Sequence, residues 1–269
     1  MVDREVFGSD GQRSLLRRGR ALFDLVSGDP RFSYYGRTVG LLRPEPDGHD
    51  DLDRLVELQG ASTCANLGTV ELGAVRDALA ARGHSVTPYT KWTGGGTALD
   101  AARGILDRHG LPRDVEVVAI GPETPRERLA ALADVALSCG VLPLAGSVLR
   151  GGARPCVALL AVDGDGRPVS CAAAAAVAHP DDHELGGQCW WGMLATRDDR
   201  RGERLGLVLG AMALREMHVR HGFSDFMTGV QDGNAASEAL CRRAGLAPSG
   251  RSILTVVGAG ALPGGRMTR

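Results

Sequence analysis

The sequence predicts a mixed α/β (α+β) fold in which a sheet is flanked by helices. Three observations predict it. Residues 190–196 form an apolar strand that enters a charged turn and then a helix, with LATRDDRRGERLGLVLGAMAL spanning 194–214. Two apolar runs, 156–162 and 168–178, flank Asp163-Gly164-Asp165-Gly166, a strong hairpin turn. From residue 115 to 257, short strands and amphipathic helices alternate, a pattern that packs as sheet and helix layers.

The stretch 194–214 organises the rest. Leu205, Leu209, Met212 and Ala213 recur at helical spacing and face a core. Just before them, Arg200, Arg201 and Arg204 bring cationic donors, and Gly202 and Gly206 bring bare backbone. A helix start with free N–H groups and nearby positive charge suits a phosphate. The same residues also suit an ordinary strand–helix connection with a solvated arginine face.

Size and composition bound the function. The chain has 269 residues and 43% hydrophobic content, enough for one large or two ordinary domains with a real core. A net charge of −1 gives no general electrostatic case for nucleic acid or an anionic membrane surface. Basic charge is almost all arginine, with Lys91 the single lysine. Asp3, Arg4 and Glu5 stand where the apolar core of a signal peptide would begin, and no apolar run reaches membrane-spanning length, so a cytoplasmic protein is expected. Six cysteines without a CxxC pair read as buried free thiols in a reducing compartment, and no metal site is expected.

Taken in order, a short basic helix is expected near 13–20 and a strand at 37–42, followed by a turn-rich linker at 44–49. Helices are expected at 50–59 and 69–82, the second with Val70, Val75 and Leu79 inward and Gly83 as its stop. An extended segment follows at 84–93, broken at Pro88. Gly94, Gly95 and Gly96 then open a helix at 97–109; a flexible turn is favoured there over an anion site, since no GxGxxG fingerprint is present. The segment 110–114 marks a boundary between an N-terminal α/β region, 1–112, and a second domain, 113–269. Within the latter, strand 115–120 precedes a helix at 123–139 with Leu129, Leu132, Val135 and Ala136 inward. The alanine run in 168–178 would ordinarily argue helix, but the hairpin turn and matched length argue strand. Strand 188–196, helix 203–220, strand 223–230, helix 235–243 and strand 252–257 complete the chain.

Residues 115–257 resemble the GCN5-related N-acetyltransferase (GNAT) superfamily. Two motifs carry the resemblance. Arg201, Gly202, Glu203, Arg204, Leu205 and Gly206 fall on the family's R/Q-x-x-G-x-G/A acetyl-CoA signature. Asn234, Ser237, Leu240, Cys241, Gly245 and Leu246 match N-x-x-A-x-x-L-Y-x-x-x-G-F in spacing. The resemblance implies a mixed, mostly antiparallel sheet flanked by helices, whose central strands 188–196 and 223–230 splay apart. Pantetheine would pair with backbone near Met193, Leu194 and Thr196, and the pyrophosphate would sit on N–H groups of residues 201–206. Asn234 and Ser237 complete the implied cofactor set. The N-terminal region carries no motif of its own and admits reading as a degenerate GNAT half that covers the acceptor side. Its aromatic residues Phe32, Tyr34 and Tyr35 either pack across the boundary or form a local core.

The sequence departs from the family pattern at three places. Arg204 replaces the first glycine of the signature, Cys241 stands at the tyrosine that often serves as general acid, and Trp190 replaces a glutamate base. The catalytic candidates are therefore Cys241, His183 and Glu184, with Asp232, His179 or an ordered water as other bases. Trp190 and Trp191 are candidates for the acyl or acceptor pocket, or for ordinary core. The implied activity is acetyl transfer from acetyl-CoA, without a metal, to a small amine such as an amino acid, antibiotic or natural-product intermediate. A non-catalytic CoA-binding sensor and an O-acyltransferase using another acyl-CoA are the alternatives. Domains of this kind often pair, so a homodimer is compatible with the sequence.

Overall fold

A computed structural model describes residues 5–44 and 48–267. The elements follow in the order α1 (Asp10–Val26), β1 (Phe32–Ser33), β2 (Gly40–Leu41), α2 (Gly48–Gln59), β3 (Ala61–Gly68), α3 (Thr69–Ala81), β4 (Ser85–Gly94) and α4 (Gly96–Arg108). Then come β5 (Val115–Ile120), α5 (Arg126–Ser138), α6 (Gly146–Leu149), β6 (Cys156–Asp163), β7 (Pro168–Ala176) and β8 (Gln188–Thr196). The chain closes with α7 (Leu205–His221), β9 (Asp225–Val230), α8 (Ala235–Arg243) and β10 (Ala247–Val257). The strands form one ten-stranded sheet in the order β1-β2-β3-β10-β4-β9-β8-β7-β6-β5. Pairing is antiparallel except at β2–β3 and β8–β9.

Residues 1–112 and 113–269 thus share one sheet, since β4 of the first stretch lies between β9 and β10 of the second. This insertion sets the layers. One face carries α4, α7 and α8, whose apolar residues pack with Trp92, Trp191 and Phe226. The other face carries α5 against Trp190, Met193 and Met227.

Local chemistry explains most element boundaries. Ser9 caps α1 in a reciprocal pair with Gln12. The 163–166 turn closes as expected, with Asp163 N–H donating to Arg167 O at 2.9 Å and Gly166 at φ +77°. The alanine run of β7 is a strand because β6 and β8 pair along both of its sides, and full burial outweighs helix propensity. Helix α7 ends at Gly222, whose φ of +75° is the left-handed stop.

Four expectations need correction. Val70 points outward and is 93% exposed, because it sits in the first turn of α3, where Leu79 alone among the three expected residues is fully buried. Pro88 does not break β4, since β9 pairs only with Thr90–Gly94 and leaves a free edge there that tolerates proline. Only Gly40–Leu41 of the expected 37–42 strand pairs as a strand. Gln59 takes the ladder's place at Val39, accepting from its N–H at 3.0 Å and donating to its carbonyl at 2.6 Å. Strand β10 begins five residues earlier than expected because β4 offers it a partner from Ala247 onward. Residues 45–47 of the expected linker lie outside the described residues. Gly94 of the triple glycine is a packing point, where an added Cβ would meet Gly245 O at 2.8 Å.

Trp191 illustrates how β8 is fixed to α7. It is 1% exposed, and its indole N–H donates to Gly210 O at 3.0 Å. A Cβ on Gly210 would meet that ring at 2.8 Å, so the glycine lets helix and indole approach. Trp191→Phe should lower unfolding stability by about 1–3 kcal/mol, through a lost hydrogen bond and a small cavity. Urea titration measures this, and an unchanged midpoint would contradict it.

Candidate functional site

The site begins with a strand that loses its neighbour. Strand β8 pairs in parallel with β9 only through Gln188–Asp225, Cys189–Phe226 and Trp190–Met227. Beyond that point β8 stays with β7 to Thr196, while β9 stays with β4 to Val230. The two central strands therefore diverge, leaving the β8 edge from Trp191 onward without a β9 partner.

The β8 backbone is also reshaped there. Its register against β7 shifts between Cys171 and Ala173, so one extra residue is accommodated on β8. Met193 has φ +53°, a left-handed conformation rare for a side-chain-bearing residue. Gly192 is required beside it, because a Cβ would meet the Trp190 ring at 2.3 Å. Thr196 closes the strand, its hydroxyl 2.9 Å from that of Ser170 and its carbonyl accepting from the Cys139 thiol at 3.3 Å.

The turn that follows is held by ion pairs. Arg200 reaches Asp114 at 3.0 Å and Glu203 at 2.7 Å, so this arginine is spent on the turn itself. Arg201 pairs with Asp198 at 2.7 Å and stays exposed. Arg204 is exposed and has no ion pair among the described residues. It adopts φ +62° as the residue before α7, the conformation a glycine would favour. The first turn of α7 has no side-chain cap, so the N–H groups around Leu205 and Gly206 have no side-chain acceptor. Gly206 faces Thr196, with a Cβ placed 3.4 Å from its hydroxyl. Strand edge, left-handed turn and uncapped helix thus meet at one corner. Arg204→Gly should stabilise the fold by about 1 kcal/mol by relieving the left-handed side chain. Thermal unfolding reads this directly, and a fall in stability would contradict it.

The chain as a whole is similar to solved structures. A GCN5-related N-acetyltransferase from Kribbella flavida superposes with a TM-score of 0.55 at 15% identity, covering 91% of this chain and 96% of that one. The tandem GNAT protein from the clavulanic acid biosynthesis pathway gives 0.51 at 17% identity, covering 79% and 68%. The chain has the GNAT fold. A Drosophila protein also superposes with a TM-score of 0.51 at 18% identity, over 84% of this chain and 72% of that one. No protein-family model matches the sequence, and no curated protein matches it significantly.

Within the GNAT fold the remaining candidates scatter. Asn234 caps α8, accepting from Ser237 N–H at 3.1 Å. Cys241 is buried in the α4–α7 layer, and burial pushes its thiol up to about 11. His183 and Glu184 lie in the loop before β8, both exposed, with Glu184 accepting from Arg43 at 2.9 Å. Arg43 also grips Asp182, whose carboxyl it holds well below the usual range. Asp232 accepts from the Thr90 hydroxyl at 2.7 Å, and His179 stands 3.7 Å from Asp181. Trp190 and Trp191 point to opposite faces, as neighbours on a strand must. Trp191 belongs to the α7 layer, while Trp190 stacks on Tyr35 at 5.0 Å under the Arg37 guanidinium at 5.2 Å.

Sequence reasoning passed over a buried lysine on the sheet face that Trp190 occupies. Lys91, on β4 opposite Gly229, is 2% exposed and donates to Asn66 Oδ1 at 2.9 Å. Burial pulls its ammonium down to about 8. Gln188 donates to Asp225 at 2.7 Å. The one available signal was a single lysine in a chain that otherwise uses arginine.

Among the described residues, no three histidines, cysteines or carboxylates are grouped to hold a metal ion. No described helix is long and apolar enough to cross a membrane.

Proposed function

We propose that the chain is an acetyl-CoA-dependent N-acetyltransferase acting on a small-molecule amine. The observation that carries this reading is the corner where the unpartnered β8 edge meets the uncapped start of α7. Extended amides can pair with a free strand edge, and a pyrophosphate suits an uncapped helix start. The residues present fit such a donor. Met193, Leu194 and Thr196 offer strand backbone, and Arg201, Gly202, Glu203, Arg204, Leu205 and Gly206 form the anion turn. Asn234 and Ser237 stand at the head of α8.

The donor, when bound, supplies an acyl group activated as a thioester. The chain's own part is to hold and orient it and to manage protons. The acceptor amine must be neutral to attack, and the departing thiolate gains a proton. We assign proton handling to Glu184, His183 and Cys241. Cys241 enters protonated at neutral pH, since burial raises its thiol. Trp190, stacked on Tyr35, walls the acceptor side, and Trp191 supports it from the opposite face.

The test is calorimetric titration with acetyl-CoA, followed by thiol release with a panel of amines and alcohols. Micromolar binding and amine-dependent release are expected. Binding without release to any acceptor would favour a sensor module, release to alcohols alone an O-acyltransferase, and no binding would end the reading. Comparing kcat–pH profiles of Glu184→Gln, His183→Gln and Cys241→Ala then decides which group moves the proton. A limb of the profile should vanish in one of them.

A further inference from the structure

We propose that Cys171 and Cys139 are positioning residues, whose thiols hold the bulged end of β8 in the shape that receives the acyl donor. This inference rests on the acetyltransferase reading and adds to its site two residues that neither motif contains.

The observations lie between Met193 and Thr196 of β8. The Cys171 thiol donates to Met193 O at 3.3 Å, and the Cys139 thiol donates to Thr196 O at 3.3 Å. Between them, the Ser170 hydroxyl donates to Ala195 O at 2.8 Å. The carbonyls of Met193, Ala195 and Thr196 thus each accept from a side chain. Strand carbonyls are ordinarily satisfied by the backbone ladder. Here the side-chain donors gather where that ladder is interrupted, at the register shift between Cys171 and Ala173.

The two thiols come from different layers. Cys171 belongs to β7, stands opposite Ala195 and is fully buried. Cys139 directly follows α5 and packs against the core that contains Trp190 and Met193. The end of β8 is therefore gripped by its neighbouring strand and by the helix layer over it. Burial pushes the Cys171 thiol up to about 12, so it keeps the proton that it donates. Cys156 of β6 is buried to a similar degree, and its thiol makes no hydrogen bond among the described residues.

The grip matters because the segment it holds is strained. Met193 has φ +53°, which a side-chain-bearing residue keeps only where its surroundings enforce it. Without the thiols, the segment is free to relax toward ordinary extended backbone. Only a fraction of the molecules would then present the edge in its bound shape, and the apparent affinity would fall by that fraction. Cys171 and Cys139 thus act on the donor through Met193 and Thr196, whose backbone is the proposed rest for pantetheine.

Calorimetric titration with acetyl-CoA tests this in wild type, Cys171→Ala, Cys171→Ser, Cys139→Ala, Cys139→Ser and Cys156→Ala, with thermal unfolding as the folding control. Each alanine change at Cys171 or Cys139 should weaken binding roughly 5-fold, the scale of one lost hydrogen bond. The serine variants keep a donor and should restore the wild-type affinity. Cys156→Ala, which loses a thiol without an acceptor, should bind as wild type does. Amide hydrogen exchange at 193–196 without donor should quicken in Cys171→Ala and Cys139→Ala but not in Cys156→Ala. Cys139 is partly exposed at a helix end, so its variants carry the test should Cys171→Ala fail to fold. Wild-type affinity in the folded alanine variants, serine variants as weak as alanine, or an equal loss in Cys156→Ala overturns the proposal. Wild type that binds no acetyl-CoA would end the acetyltransferase reading instead, while unchanged exchange at 193–196 would end this one alone.

Discussion

Gly206→Trp should weaken acetyl-CoA binding by roughly 100-fold or more, about 3 kcal/mol, while leaving the fold intact. A Cβ at this position meets only the Thr196 hydroxyl, at an ordinary contact distance of 3.4 Å, so a side chain can begin there without backbone strain. An indole beyond that Cβ would cover the first turn of α7 and the adjoining end of β8. Those are the surfaces on which the proposed pyrophosphate and pantetheine rest. Calorimetry of wild type and variant, with thermal unfolding as the folding control, measures the effect. Unchanged affinity in a folded Gly206→Trp protein would remove the α7 corner from the binding site.

Lys91→Met should stabilise the protein by about 2 kcal/mol at pH 7, an unusual sign for a change at a buried hydrogen-bonded residue. The folded ammonium loses its proton near pH 8, against 10.5 for an ordinary lysine, chiefly through burial. Between these values the unfolded chain binds more protons than the folded one, so stability contributed by this group rises with pH. Below pH 8 the folded state bears the full cost of the buried charge, ~3 kcal/mol at 1.36 kcal/mol per unit. Methionine removes that cost, and leaving Asn66 without its donor returns about 1 kcal/mol of it. Denaturant melts of both proteins at pH 7 and pH 10 isolate the effect. The difference should shrink at pH 10. A less stable variant at pH 7 would mean that the lysine is a structural partner and not a retained, costly charge.

How far the site was legible follows from the kind of signal each residue leaves. The β8–turn–α7 unit was readable because its parts adjoin in sequence. The apolar run 190–196, glycine and arginine in the turn and apolar spacing after Leu205 each report locally. The conformation of Arg204 was not readable, since a left-handed arginine has no sequence signature. The two tryptophans read alike in the sequence, as pocket or as core, yet a strand sends neighbours to opposite faces, and only the packed layers show which face each meets. Lys91 and Arg37 escaped because their buried hydrogen-bond partners lie 25 and 105 positions away in the sequence.

The sequence by itself determined the hairpin at 163–166, the alternation of strands and helices after residue 115, and the two motif-bearing helix starts, which together specify the GNAT fold. These depend on turn chemistry and periodicity over a few residues, where few alternatives compete. The tertiary structure alone decided that β4 would enter between β9 and β10, with antiparallel neighbours on both sides. Strand pairing across more than a hundred residues is chosen by the summed burial of whole faces, which no short window of sequence contains. That choice carried Lys91 into the interior, on the sheet face that Trp190 also occupies.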